Sequence, residues 1–182
     1  MGIYLDNIKE GCCDEHLPSL EYIDGDKLDS NIATCDKIIE CEDKYILIEE
    51  KSFLLGFFNE CCREKKVNFG SFIEKGYIKD NFFDFLNDSF SLDEKKRIFA
   101  ETVVKLFMSS LDKVSNTTHI LSTQHNANKS KNMPIVYLYC DSGHSKIDKL
   151  ISLSLSKYKN EKREVFVECQ RLEKFLNQKG CI

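Results

Sequence analysis

Tryptophan is absent from this sequence, proline occurs twice and glycine eight times in 182 residues. So little proline and glycine excludes a collagen-like repeat or a proline-rich linker, and no repeat period marks a solenoid. No apolar run approaches the roughly 18 to 20 residues that span a bilayer. The opening stretch MGIYLDNIKEGCC has neither the basic start nor the apolar core of a secretory signal. Asp6 stands where an N-myristoylation motif wants Ser or Thr. The expectation is a cytoplasmic protein that does not engage a membrane. C-x-x-C pairs, a Walker loop and a dinucleotide fingerprint are also missing.

What is present fits one domain over residues 1–182, long enough to bury a sizeable core. Apolar residues make up 42% and charged residues 31%, and thirteen phenylalanines supply much of the burial. The nine cysteines, an odd number without a secretion signal, read as reduced thiols, several of them small core residues. Cys12, Cys13 and His16 form a C-C-x-x-H cluster, with Cys35 and Cys41 further on, but the spacing does not match a structural zinc site. No local signature pairs a cysteine with a histidine for nucleophilic catalysis. Asp24 and Asp26 open a calcium-loop-like stretch, but Leu28 takes the next ligand position and no bidentate Glu follows at the right distance. The net charge of −4 hides an asymmetry. Residues 1–128 hold 15 Lys and Arg against 24 Asp and Glu, whereas residues 129–182 hold 11 against 6. An acidic part beside a basic part permits a metal site beside a phosphate-facing surface, and equally permits uneven scatter.

Periodicity predicts two strands, Ala33–Glu40 and Tyr45–Lys51, joined by a turn at Glu42, Asp43 and Lys44. A helix with a wide apolar face follows over Ser52–Lys66, then one or two short helices packed by phenylalanines within residues 68–90. Ser91 and Glu94 form a capping box that starts a helix running to about Asp112. Asn116–Asn132 reads as a polar, exposed connection in which Ile120 and Leu121 could dock. MPIVYLYC, Met133–Cys140, has the unbroken β-prone pattern of a strand covered on both faces. A helix at Lys146–Lys157, a strand at Arg163–Cys169 and a helix at Leu172–Asn177 complete the order. The fold class is α/β: a central mixed β-sheet flanked by helices.

The hairpin carries the chemistry. Side chains alternate along a strand, so Tyr45, Leu47, Glu49 and Lys51 share one face, and Ile46, Ile48 and Glu50 the other. Glu49 and Lys51 are then about 7 Å apart along the strand. On the first strand Asp36, Ile38 and Glu40 share a face, and the turn position brings Asp36 opposite residues 49–51. Two converging carboxylates repel unless a cation lies between them, and a hard, oxygen-ligated ion such as Mg²⁺ or Mn²⁺ suits them. A solvated, charged surface hairpin is the other reading of the same residues.

Asp36 followed thirteen residues later by Glu49-x-Lys51 resembles the core motif of the PD-(D/E)XK, or restriction-endonuclease-like, nuclease superfamily, with Cys35 where many members have proline. The resemblance implies a restriction-endonuclease-like core with a helical insertion at about residues 68–115. It implies hydrolysis of phosphodiester bonds in nucleic acid, DNA favoured over RNA, with Asp36, Glu49 and Lys51 catalytic. Asp36, Glu49 and the backbone carbonyl of Glu50 would hold Mg²⁺ or Mn²⁺, with Glu15 or Glu21 as a further acid from the first helix. Ser142 and His144, after the Met133 strand, would approach the substrate backbone, and Lys157, Lys159, Lys162 and Arg163 would contact phosphate. The alternative is a non-catalytic, nuclease-like interaction or nucleic-acid-binding subunit of a larger complex. A protein partner or a homodimer is compatible with either reading.

Overall fold

The structure, a computed structural model, describes residues 3–8, 21–29, 31–125, 128–129, 133–139 and 164–182. Five strands form one mixed sheet in the order β2-β3-β4-β7-β8. These are β2 (Ile23–Asp24), β3 (Lys37–Glu40), β4 (Tyr45–Lys51), β7 (Ile135–Tyr139) and β8 (Glu164–Glu168). Strand β3 runs antiparallel to both of its neighbours, β2 and β4, and β4, β7 and β8 run parallel. A second, three-stranded sheet joins β1 (Ile3–Tyr4) to the short hairpin β5 (Ile73–Glu74) and β6 (Tyr77–Ile78). The Lys75–Gly76 turn of that hairpin has positive φ at both residues, where glycine is the residue that adapts without strain.

All seven residues of β4 and all five of β7 are buried, as expected for central strands with both faces covered. On one face, Ile38, Tyr45, Leu47, Ile135, Tyr137 and Tyr139 join the phenylalanine-rich core. On the other, Ile39, Ile46, Ile48, Val136, Leu138 and Val167 pack with Leu172 and Leu176 of the C-terminal helix (Leu172–Gln178). The alternation along each strand thus sorts these side chains between two cores.

Helix α1 (Phe53–Glu64) follows β4 at once and buries Phe53, Leu54, Phe57, Phe58, Cys61 and Cys62, its predicted apolar face. It packs on α3 (Leu92–Met108), where Phe57 meets Phe99 with ring centroids 5.7 Å apart. The α3 N-terminus carries the expected capping box: Glu94 N donates to Ser91 Oγ at 3.3 Å, and Ser91 N donates to Glu94 Oε2 at 2.7 Å. Helix α2 (Asp80–Ser89) sends Phe82 into the same cluster, 4.9 Å from Phe58 and 5.1 Å from Phe69. Such fully buried aromatic side chains each contribute about 1.5–3 kcal/mol over exposure.

Three expectations need correction. The segment expected as an exposed connection from Asn116 instead begins inside α4 (Leu111–Gln124), whose Thr117, Ile120 and Leu121 are buried. The first strand of the hairpin starts at Lys37, because residues 33–35 give backbone groups to α4: Asn116 Nδ2 donates to Ala33 O, and Cys35 N donates to Thr117 Oγ1. The cysteines are not all reduced thiols. Cys41, at the β3–β4 turn, is disulfide-bonded to Cys181 across 140 residues of sequence, and Cys169 is also disulfide-bonded. Cys35, Cys61 and Cys62 are free and buried, as small core residues should be. The predicted helix at Lys146–Lys157 lies outside the described residues.

Candidate functional site

The β3–β4 register pairs Lys37 with Ile48, so one step further sets Asp36 opposite Glu49 at the open end of the hairpin. Asp36 is a bend residue just before the ladder, and its carboxylate is fixed there. Its Oδ2 accepts a 2.8 Å hydrogen bond from the backbone N–H of Glu50, and its Oδ1 accepts one of 2.6 Å from Lys113 Nζ. Gly25 makes this close approach possible. Its N–H donates to Asp36 O at 3.1 Å, and a Cβ at this position would lie 1.7 Å from the carbonyl oxygen of Cys35. Only a residue without a Cβ lets β2 reach this strand.

Glu49 is 0% exposed, and neither carboxylate oxygen receives a well-directed hydrogen bond. It is met by charge alone: Lys51 Nζ lies 2.9 Å and Lys113 Nζ 3.5 Å from Oε2. Lys51 is itself only 8% exposed. Burial first, and the neighbouring Asp36 second, push the Glu49 pKa up, while Lys51 and Lys113 pull it back only in part. For Lys113, burial alone would lower the pKa, but its contacts with Asp36 and Glu49 outweigh that and raise it. A buried carboxylate beside a second carboxylate gains from any added cation.

Glu50 faces the other side of the sheet. Its carboxylate pairs with Lys37 at 2.5 Å, both side chains being buried. Lys37 follows Asp36 and Glu50 follows Glu49, so this pair clasps β3 to β4 directly behind the site. Cys35, just before Asp36, is buried, and burial together with the nearby Glu49 pushes its thiol up to about 12. It is a protonated packing residue and no thiolate nucleophile.

The structure therefore gathers Asp36, Glu49 and Lys51 on one face and turns the Glu50 side chain away, while the Glu50 backbone N–H donates to Asp36. A solvated surface hairpin is ruled out by the burial of Glu49 and Lys51. Glu21, by continuation of the β2–β3 register, lies toward Glu40 at the turn end, away from Asp36. Glu15, Ser142, His144, Lys157, Lys159, Lys162 and Arg163 lie outside the described residues. Lys113 was not anticipated. Its only sequence signal is a place on a helix too polar to be read as one.

Among the described residues no group of three or more His, Cys, Asp or Glu side chains could hold a metal ion, and the acids gathered here are the two carboxylates of Asp36 and Glu49. That set fits Mg²⁺ or Mn²⁺, which commonly take one or two carboxylates and complete their shell with water and substrate phosphate. Glu49 Oε1, buried with neither a hydrogen bond nor an ion pair, is the observation that favours the fit. No helix among the described residues is long and apolar enough to cross a membrane. Comparison of the chain with protein-family models, with curated proteins and with solved structures found no match.

Proposed function

We propose that this chain is a metal-dependent nuclease of the PD-(D/E)XK type, hydrolysing phosphodiester bonds in nucleic acid, with DNA the favoured substrate. The observation that carries the reading is Glu49: a fully buried carboxylate without a directed hydrogen bond, facing Asp36 and flanked by Lys51. The order of elements supports it. An acid directly precedes β3, Glu49-x-Lys51 closes β4, α1 follows directly, and β7 lies parallel to β4, as in a restriction-endonuclease-like core. The residues between α1 and β7 would then be the helical insertion.

Asp36, Glu49 and the carbonyl of Glu50 would hold Mg²⁺ or Mn²⁺, which supplies an acidified water and charge neutralisation at the phosphate. Asp36 is oriented for this by the Glu50 N–H, and Glu49 by the burial that fixes its rotamer. Lys51 Nζ, 2.9 Å from Glu49 Oε2, would orient the attacking water and offset charge growing on a phosphate oxygen. The low exposure of both side chains strengthens that electrostatic effect.

The test incubates purified protein with single- and double-stranded DNA and RNA, in Mn²⁺ and in EDTA, beside the Lys51→Ala variant. Cleavage in Mn²⁺, its loss in EDTA and a drop of about 10²–10⁴-fold in the variant are expected. Cleavage that survives EDTA or the substitution sinks the assignment. If Mn²⁺ binds but no substrate is cut, the protein is a non-catalytic nucleic-acid-binding or interaction subunit. The ion pairs that Lys113 already makes with both acids are the observation on that side.

A further inference from the structure

The Asp36–Glu49–Lys51 group is completed by a fourth charge from a different element. Lys113 lies in the first turn of α4, 77 residues from Asp36 in sequence, and its Nζ stands 2.6 Å from Asp36 Oδ1 and 3.5 Å from Glu49 Oε2. One ammonium therefore reaches both carboxylates. Lys51, by contrast, meets Glu49 alone among these acids. Two carboxylates and two ammonium groups balance, so the site carries no formal net charge as it stands.

The placement of Lys113 is built, not incidental. One turn on, Thr117 is fully buried, accepts the Cys35 N–H at 2.8 Å and donates its hydroxyl to the Lys113 carbonyl at 2.8 Å. Asn116 holds Ala33 O at 2.9 Å. The helix that carries Lys113 is thus fastened to the segment leading into Asp36. Lys113 remains 30% exposed, whereas Lys51 is 8% exposed, so of the two amines it is Lys113 that has a path to solvent.

We propose that Lys113 is a resident counter-ion, occupying the place between Asp36 and Glu49 that a divalent cation takes, and leaving it when the cation binds. The inference rests on the proposed metal site. It explains how two acids, one of them wholly buried, are tolerated in a folded protein without an ion. Exchange of the ammonium for a divalent ion turns a balanced site positive and frees an amine at its mouth, both of which favour a phosphate. Lys113 is in this account a positioning residue that sets ion affinity.

Two measurements test it. In the first, Mn²⁺ affinity is read from the free-ion paramagnetic signal for the wild-type protein and for Lys113→Gln, Lys51→Gln and Asp36→Asn. Lys113→Gln should bind Mn²⁺ about 10- to 100-fold more tightly, the range of one charge-assisted hydrogen bond that no longer has to be broken. Lys51→Gln should gain clearly less, because it changes the charge without clearing the position. Equal gains in the two lysine variants, or none in Lys113→Gln, overturn the proposal while leaving the metal site standing. Undiminished Mn²⁺ binding by Asp36→Asn overturns the metal site and this inference with it. In the second, wild-type protein is treated with an amine-acetylating reagent with and without Mn²⁺, and Lys113 modification is followed by mass spectrometry. The ion should speed it several-fold, and an unchanged rate refutes displacement.

Discussion

Thr117→Val removes one hydroxyl from the joint between α4 and the site at nearly constant volume. Threonine and valine are both β-branched and similar in helix propensity, so the helix itself is little affected. The hydroxyl donates to the Lys113 carbonyl within the helix and accepts from the Cys35 N–H, and only the second contact joins α4 to the segment leading into Asp36. Thr117 and Cys35 are each 0% exposed, and the Cys35 N–H donates to Thr117 Oγ1 at 2.8 Å. With valine that buried N–H has no acceptor, at a cost of about 1–3 kcal/mol. For a chain of this size each kcal/mol lowers Tm by about 2–4 °C, so a loss of about 4–8 °C is expected at the middle of the range. Thr117→Ser keeps the acceptor and loses one buried methyl, about 1 kcal/mol. Thermal and urea unfolding of the three proteins should rank wild type above serine above valine. Valine as stable as serine would refute the claim that this hydrogen bond fastens α4 to the segment leading into Asp36.

Three further outcomes follow from the same geometry. Gly25→Ala drives a Cβ into the Cys35 carbonyl and should cost about 1–3 kcal/mol in urea unfolding, with weakened Mn²⁺ binding because Asp36 is displaced. Cys35 and Cys61 both have pKa values raised from 9.0 to about 12, so above pH 9 the unfolded chain loses these thiol protons while the folded chain keeps them. Stability should therefore fall as pH rises from about 9 toward 12, and a Cys35→Ala/Cys61→Ala variant should show a shallower fall in its urea midpoint. Cys181→Ser opens the Cys41–Cys181 bridge and should lower stability in urea unfolding by about 2–4 kcal/mol, while dithiothreitol, which also opens the Cys169 bridge, should lower the wild type by at least as much.

The legible parts of this molecule were those where one period governs many residues. The two-residue alternation of β4 assigned Glu49 and Lys51 to one face and Glu50 to the other, and the structure divides them so. The apolar spacing of α1 and the capping box of α3 were equally plain. The α4 helix was not, because LDKVSNTTHILSTQ is rich in Ser, Thr and Asn, which favour turns over helix interiors, and it offers few apolar positions. It is helical because Thr117, Ile120 and Leu121 dock, a tertiary effect with little local trace. Lys113 was missed with it, and so was the early loss of ladder pairing before Lys37. The β5–β6 hairpin, with strands of two residues, is too short for any period to show. The Cys41–Cys181 pair is 140 residues apart, a distance over which cysteine spacing says nothing about partners.

The most direct test of the central claim is a crystal soaked in Mn²⁺ and measured for anomalous scattering. A peak bound by Asp36 Oδ and Glu49 Oε is expected, with Glu50 O in the same shell and Lys113 Nζ withdrawn from both acids. Strong peaks elsewhere, or none with Lys113 still bridging Asp36 and Glu49, would contradict that claim.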